Sequence, residues 1–174
     1  EKNINEQRVA ATPDSIKILT RLGVDILIEK EAGVLSGFAD ESYEVVGAKI
    51  VNRSECLKTD ICLCVRMPSK EDINQMKEDS MLIGLLNPYK NQTIFNDLIN
   101  RKITACCMEL IPRISRAQNM DVLSSQANLA GYRAVIDAAE QFHKAFPMMM
   151  TAAGRVNPAK VMVLGVGVAG LQAI

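Results

Sequence analysis

Along the first 110 residues, helical spacing of apolar positions gives way repeatedly to short unbroken apolar runs. Thr12-Pro13 offers an N-cap hydroxyl and a proline at the first helical position; Ile16, Leu19 and Leu22 then recur at helical spacing until Gly23 closes the segment. VDILIE follows as a strand. Asp40 is expected to cap a short helix through Tyr43 and Val46, DICLCV reads as a buried strand, SKEDINQMKED as a polar-faced helix and SMLIGLL as another strand. NQTIFNDLIN points Ile94, Phe95, Leu98 and Ile99 inward on a helix, and KITACCMELI gives a further strand. Apolar runs of this kind imply strands buried on both faces. Their alternation with helices implies a parallel sheet covered by helices on each side.

From about Ser124 the rhythm changes. SSQANLAGYRAVIDAAEQFHKAF predicts one long helix with Ala127, Ala130, Ala134, Ala138 and Phe142 on a stripe of mostly small residues suited to close packing, ended by Pro147. MMMTAAGRVNPA reads as a connection, and KVMVL as the strand it leads into. The expected fold class is α/β: two Rossmann-like, doubly wound parallel-sheet domains, the second reaching only its first strand and a glycine-rich turn. The expected boundaries are an N-terminal domain over 1–125, a crossover helix over 126–147 and the start of a second domain over 148–174.

Composition narrows the classes. The 174 residues are 48 % apolar, enough for one ordinary core, and their 20 acidic and 20 basic side chains give no net field to select nucleic acid or an anionic membrane. No apolar run approaches the roughly 18 residues that span a bilayer. The start EKNINEQRVA carries no targeting pattern, and both ends read as cuts. Cys56, Cys62, Cys64, Cys106 and Cys107 lie in apolar runs without C-x-x-C, and His143 is the single histidine, so buried free thiols are expected and no metal site.

Two stretches carry chemistry. Gly165, Gly167 and Gly170 fit G-x-G-x-x-G between VMVL and AGLQAI, the strand-to-helix context in which the first glycine makes the turn, the second admits a pyrophosphate and the third packs helix on strand. The helix N-terminus, with Val168 and Ala169, offers N–H groups to the anion. A glycine-rich turn without ligand is the alternative. The second stretch, IPRISRAQNMDVLSSQAN, gathers Arg113, Arg116, Gln118, Asn119, Asp121, Ser124, Ser125, Gln126 and Asn128. Arginine, glutamine and serine supply the donors and acceptors a carboxamide needs, although a solvated loop with Ser124 or Ser125 as helix N-cap would also account for them.

The segment IPRISRAQNMDVLSSQANLAGYRAVIDAAEQF, the following AFPMMMTAAGRVNPAKVMVLGVGVAGLQAI and the earlier RVAATPDSIKILTRLGVDILIEKEAG together resemble the NAD(H)-binding domain of the α subunit of proton-translocating NAD(P)+ transhydrogenases. The resemblance implies that 113–124 holds the nicotinamide of NAD(H) against that of NADP(H) on a partner domain. Arg113 and Ser124 would orient the carboxamide and ring, Gln118 would reach toward the partner, and Asp121 would fix the arginine. Asn128 and Arg133 would support the loop and helix from behind, and Arg116 belongs to supporting structure or interface. It also implies a transmembrane proton-channel partner, a homodimer, and a place on the cytoplasmic face of a bacterial inner membrane or the mitochondrial matrix side. A first strand is expected before Glu1, and a second nucleotide-binding strand with its ribose-binding acid after Ile174.

Alanine dehydrogenase, a related family, must move a proton as well as a hydride and uses a lysine and a histidine near its substrate; here VRMP and LLNPY stand at those places. Hydride exchange between two nicotinamides needs positioning and no acid or base. An alanine dehydrogenase-type enzyme and a non-catalytic NADH-binding module remain the rival readings.

Overall fold

The computed structural model describes residues 5–174, and the chain divides into two compact units, Glu1–Ile111 and Pro112–Ile174. In the first, α1 (Pro13–Arg21) begins where the sequence places it: the Thr12 hydroxyl accepts from the Ser15 N–H, and Gly23 follows in the left-handed region at φ 81°. β1 (Leu27–Glu29) and β2 (Lys49–Val51) pair in parallel, and α2 (Asp40–Glu44) lies between them in sequence. Asp40 is the first helical residue rather than the cap. Its carboxylate accepts the Glu31 N–H at 2.8 Å, and Ala39 takes the capping position without a side-chain bond. Tyr43 is wholly buried with Ile16 and Ala48, and its hydroxyl donates to the Ala11 carbonyl.

β2 and the single turn of α3 (Arg53–Cys56) have no counterpart in the sequence reading, because AKIVNRSEC is too short and too mixed for either periodicity. They form because Asn52 caps α3 on the Glu55 N–H and β1 supplies the ladder. Arg53 then ties the unit together. It donates through Nε and Nη2 to both oxygens of Asp72 (2.8 and 2.7 Å) and through Nη1 to Glu29 (2.8 Å), holding the Asp72 carboxyl below its usual range.

β3 (Ile61–Arg66), β4 (Met81–Leu85) and β5 (Thr104–Cys107) form a parallel sheet in the order β3-β4-β5, with α4 (Lys70–Gln75) and α5 (Gln92–Asn100) as the crossovers. A full capping box between Ser69 and Asp72 starts α4. Leu57, Ile73, Met76, Leu82, Leu86, Leu98 and Ile103 are the core. The expectation of strands buried on both faces holds only in the middle: β3 is an edge strand, and its Ile61 and Leu63 are exposed. On α5, Ile94, Phe95 and Leu98 face the core, but Ile99 is 69 % exposed, because one further residue turns 100° beyond Leu98. The five cysteines are free and half-buried rather than buried; burial pushes the Cys56 thiol up to about 11 and raises that of Cys107.

The second unit is built on α6 (Val122–Gln141) and α7 (Val168–Ala173), which pack on each other. The expected stripe is not the packed face: Ala130, Ala134, Ala138 and Phe142 are exposed, and the buried residue of α6 is Gly131, which the stripe did not include. The expected connection at MMMTAAGRVNPA is a hairpin, β6 (Met149–Thr151) antiparallel to β7 (Gly154–Val156), turning through Ala152 and Ala153 into Gly154 at φ 120°. KVMVL forms no ladder, since no strand among the described residues lies beside it.

Candidate functional site

Both chemistry-bearing stretches belong to the second unit, the polar loop ahead of α6 and the glycine turn ahead of α7. After Pro112 the chain makes a run of 3-10 turns, Ser115–Met120, anchored by the buried Ala117, and Arg113, Arg116, Gln118 and Asn119 are exposed around it. The cap of α6 is neither serine of the sequence reading but Asp121. One of its oxygens accepts the Ser124 N–H at 2.9 Å and the other accepts the Ser124 hydroxyl at 2.6 Å. The helix begins at Val122, so Ser124 already lies in its first turn, and the Asp121 carboxylate meets two donors at once and carries the charge that the helix N-terminus favours. These bonds, first the hydroxyl and then the N–H, hold the Asp121 carboxyl below its ordinary value, and the charge of Arg113 adds to them. Arg113 acts on Asp121 through that charge without an ion pair among the described residues. Ser124, having donated its proton, keeps its oxygen lone pairs for a donor from outside.

Behind the loop, Ser125 donates to the Val122 carbonyl at 3.1 Å, and Arg133 pairs with Asp137 one turn on at 2.7 Å in an exposed position of small energetic weight. Asn128 is exposed.

The glycine turn has the geometry its spacing predicts. Gly165 takes φ 107°, Gly167 is the N-cap of α7 with no side-chain cap, and Val168, Ala169 and Gly170 form the first helical turn. A Cβ at Gly170 would stand 2.0 Å from the Gly165 carbonyl oxygen, so glycine is required there for packing. A Cβ at Gly167 would meet nothing within 4 Å, which leaves the backbone open to a ligand. The residues therefore fit the pyrophosphate of a dinucleotide.

In the first unit a buried acid lies outside every motif of the sequence. Glu6 is 4 % exposed; both oxygens accept from Arg8 at 2.8 Å, and one accepts from Arg66 at 2.7 Å. Its signal was an isolated E-x-R ahead of the first helix, readable only with Arg66 alongside. At LLNPY, Glu109 accepts the N–H groups of Leu86 and Asn87, fixing Asn87 at φ 47°. No group of three or more histidine, cysteine, aspartate or glutamate residues able to hold a metal ion occurs among the described residues, and no helix among them is long and apolar enough to cross a membrane.

Parallel strands followed in the chain by one helix with a capped polar loop and another with a glycine turn define a class, and comparison with known proteins gives it a family. The model described as alanine dehydrogenase/PNT, N-terminal domain, matches residues 1–130 and its C-terminal counterpart matches 134–174; the chain belongs to this family. It is 46 % identical over 170 aligned residues to NAD(P) transhydrogenase subunit alpha of Haemophilus influenzae, covering 98 % of this chain and 33 % of that protein. The solved transhydrogenase of Sinorhizobium meliloti superposes with a TM-score of 0.96 at 47 % identity, over 99 % of this chain and 52 % of that one. An L-alanine dehydrogenase structure superposes at 0.84 with 25 % identity, over 99 % and 48 %. The chain thus spans between a third and about half the length of these relatives.

Proposed function

We propose that this chain is the NAD(H)-binding part of a proton-translocating NAD(P)+ transhydrogenase, presenting NADH for hydride transfer to NADP+ held on a partner domain. What supports this reading most is the pairing, at the starts of two helices packed on each other, of an open glycine turn with a polar loop that contains no histidine or lysine. The nicotinamide supplies the hydride when bound. Gly165, Gly167, Val168, Ala169 and Gly170 would take the pyrophosphate, and Arg113 and Ser124 would hold the carboxamide by complementary donor and acceptor bonds. Asp121 keeps Ser124 in one rotamer and biases Arg113 through its charge; Gln118 faces the partner. With no proton released at the carbon, the work of the site is alignment, for which fixed donors suffice. Coupling to proton movement belongs to the transmembrane partner, which places this chain at the cytoplasmic or matrix face, as a homodimer.

The test is Arg113→Ala in the full-length chain assembled with its NADP(H)-binding partner. Stopped-flow hydride transfer from NADH should slow by about a hundredfold, in line with the cost of small misplacements, with the circular dichroism spectrum unchanged. Unaltered transfer rates would remove the loop from the mechanism. NAD+ reduction by alanine in the unmodified chain without any partner would instead favour the dehydrogenase reading, and NADH binding with no exchange in the complex would favour the binding module.

A further inference from the structure

We infer that Gly131 is a positioning residue for the dinucleotide: its missing side chain seats α6 against the backbone of α7 and so sets the separation between the loop ahead of α6 and the glycine turn ahead of α7. The inference rests on the reading of residues 113–124 and 165–170 as two ends of one NAD(H) site.

A Cβ built on Gly131 would stand 2.1 Å from the carbonyl oxygen of Ala169, 2.9 Å from its carbonyl carbon and 3.0 Å from its Cα. Those are backbone atoms of the first turn of α7, and they cannot swing aside as a side-chain tip could. The same turn is held from within by Gly170 on the Gly165 carbonyl. Gly165, Gly170, Ala169 and Gly131 therefore make a continuous backbone stack from the candidate pyrophosphate turn to the middle of α6. Local conformation does not call for glycine at 131, since its φ lies outside the left-handed region, and glycine is a poorer helix former than alanine. The close approach is what calls for it.

From Gly131 to Ser124 is seven helical positions, about 10 Å of rigid rod at 1.5 Å per residue. Displacing α7 at Gly131 moves one end of the proposed site while Asp121 and Ser124 hold the other. A ligand touching only the glycine turn would not register the change. One that must touch both would.

Gly131→Ala in the full-length chain, assembled with its NADP(H)-binding partner, separates these cases. NADH affinity should fall about tenfold and hydride transfer about a hundredfold, while ADP, which carries the pyrophosphate without the nicotinamide, should bind within about twofold of the unmodified protein. A folded variant with unchanged NADH binding and transfer overturns the inference, as does a parallel loss of ADP and NADH. If the unmodified protein binds no NADH, the nucleotide reading itself falls and takes this inference with it. Should the variant not fold, nitroxides on the exposed Leu129 and Leu171 decide the matter in the protein that keeps Gly131. A single narrow separation unaffected by NADH is expected, and a broad or NADH-dependent one overturns the coupling.

Discussion

At the scale of the residue, charge placement in the first unit is the most consequential. The two-pronged bond from Arg8, with Arg66 adding to it against the opposing effect of burial, holds the Glu6 carboxyl from 4.5 down to about 2. A depressed carboxyl contributes stability that is present above its unfolded value and is lost as pH falls through its folded one. Glu6→Gln should therefore cost on the order of 2 kcal/mol at pH 7. That is the low end of the range, because the two arginine side chains are 38 and 58 % exposed and solvent screens them. The deficit should shrink between pH 4.5 and 2, as measured by urea denaturation of variant and unmodified protein across that interval. A deficit independent of pH would mean that shape rather than charge holds Glu6 in place.

At the scale of the element, Gly84 lets β4 lie close against β3. A Cβ there would stand 2.3 Å from the Cys64 carbonyl oxygen and 2.7 Å from its sulfur, so Gly84→Ala must push strands apart and should cost about 1–3 kcal/mol. A thermal midpoint equal to that of the unmodified chain would contradict this. The elements also show where the sequence could be read. α1 and α4 announce themselves by cap and period and α5 by period alone, and the glycine spacing at 165–170 points to both a turn and its packing partner. What escaped was decided by neighbours distant in sequence. β2 exists because β1 lies beside it, Asp40 turns to the Glu31 amide, and among the described residues no strand lies beside KVMVL. In the candidate site the residue types were legible, but not that Asp121 would serve as the cap, a choice that depends on the 3-10 turns delivering it to Ser124.

For the whole molecule, burial is shared unevenly. Both clusters of buried apolar residues lie within Glu1–Ile111, whereas the second unit leaves Leu129, Val161, Met162, Leu164, Val166 and Leu171 exposed. Residues 1–111 expressed alone should melt cooperatively, and residues 112–174 alone should show no cooperative transition and should bind a hydrophobic dye, since so little buried area cannot offset chain entropy. Calorimetry of the two pieces checks this; a sharp transition in the smaller one would refute it.

Tyr43 has a use beyond packing. The chain contains three tyrosines and no tryptophan, and Tyr43 is wholly enclosed, with burial first and the Asp40 charge second raising the point at which its phenol ionises. In alkali, the late fraction of tyrosinate absorbance becomes an intrinsic optical clock for the opening of the first unit, with no label attached.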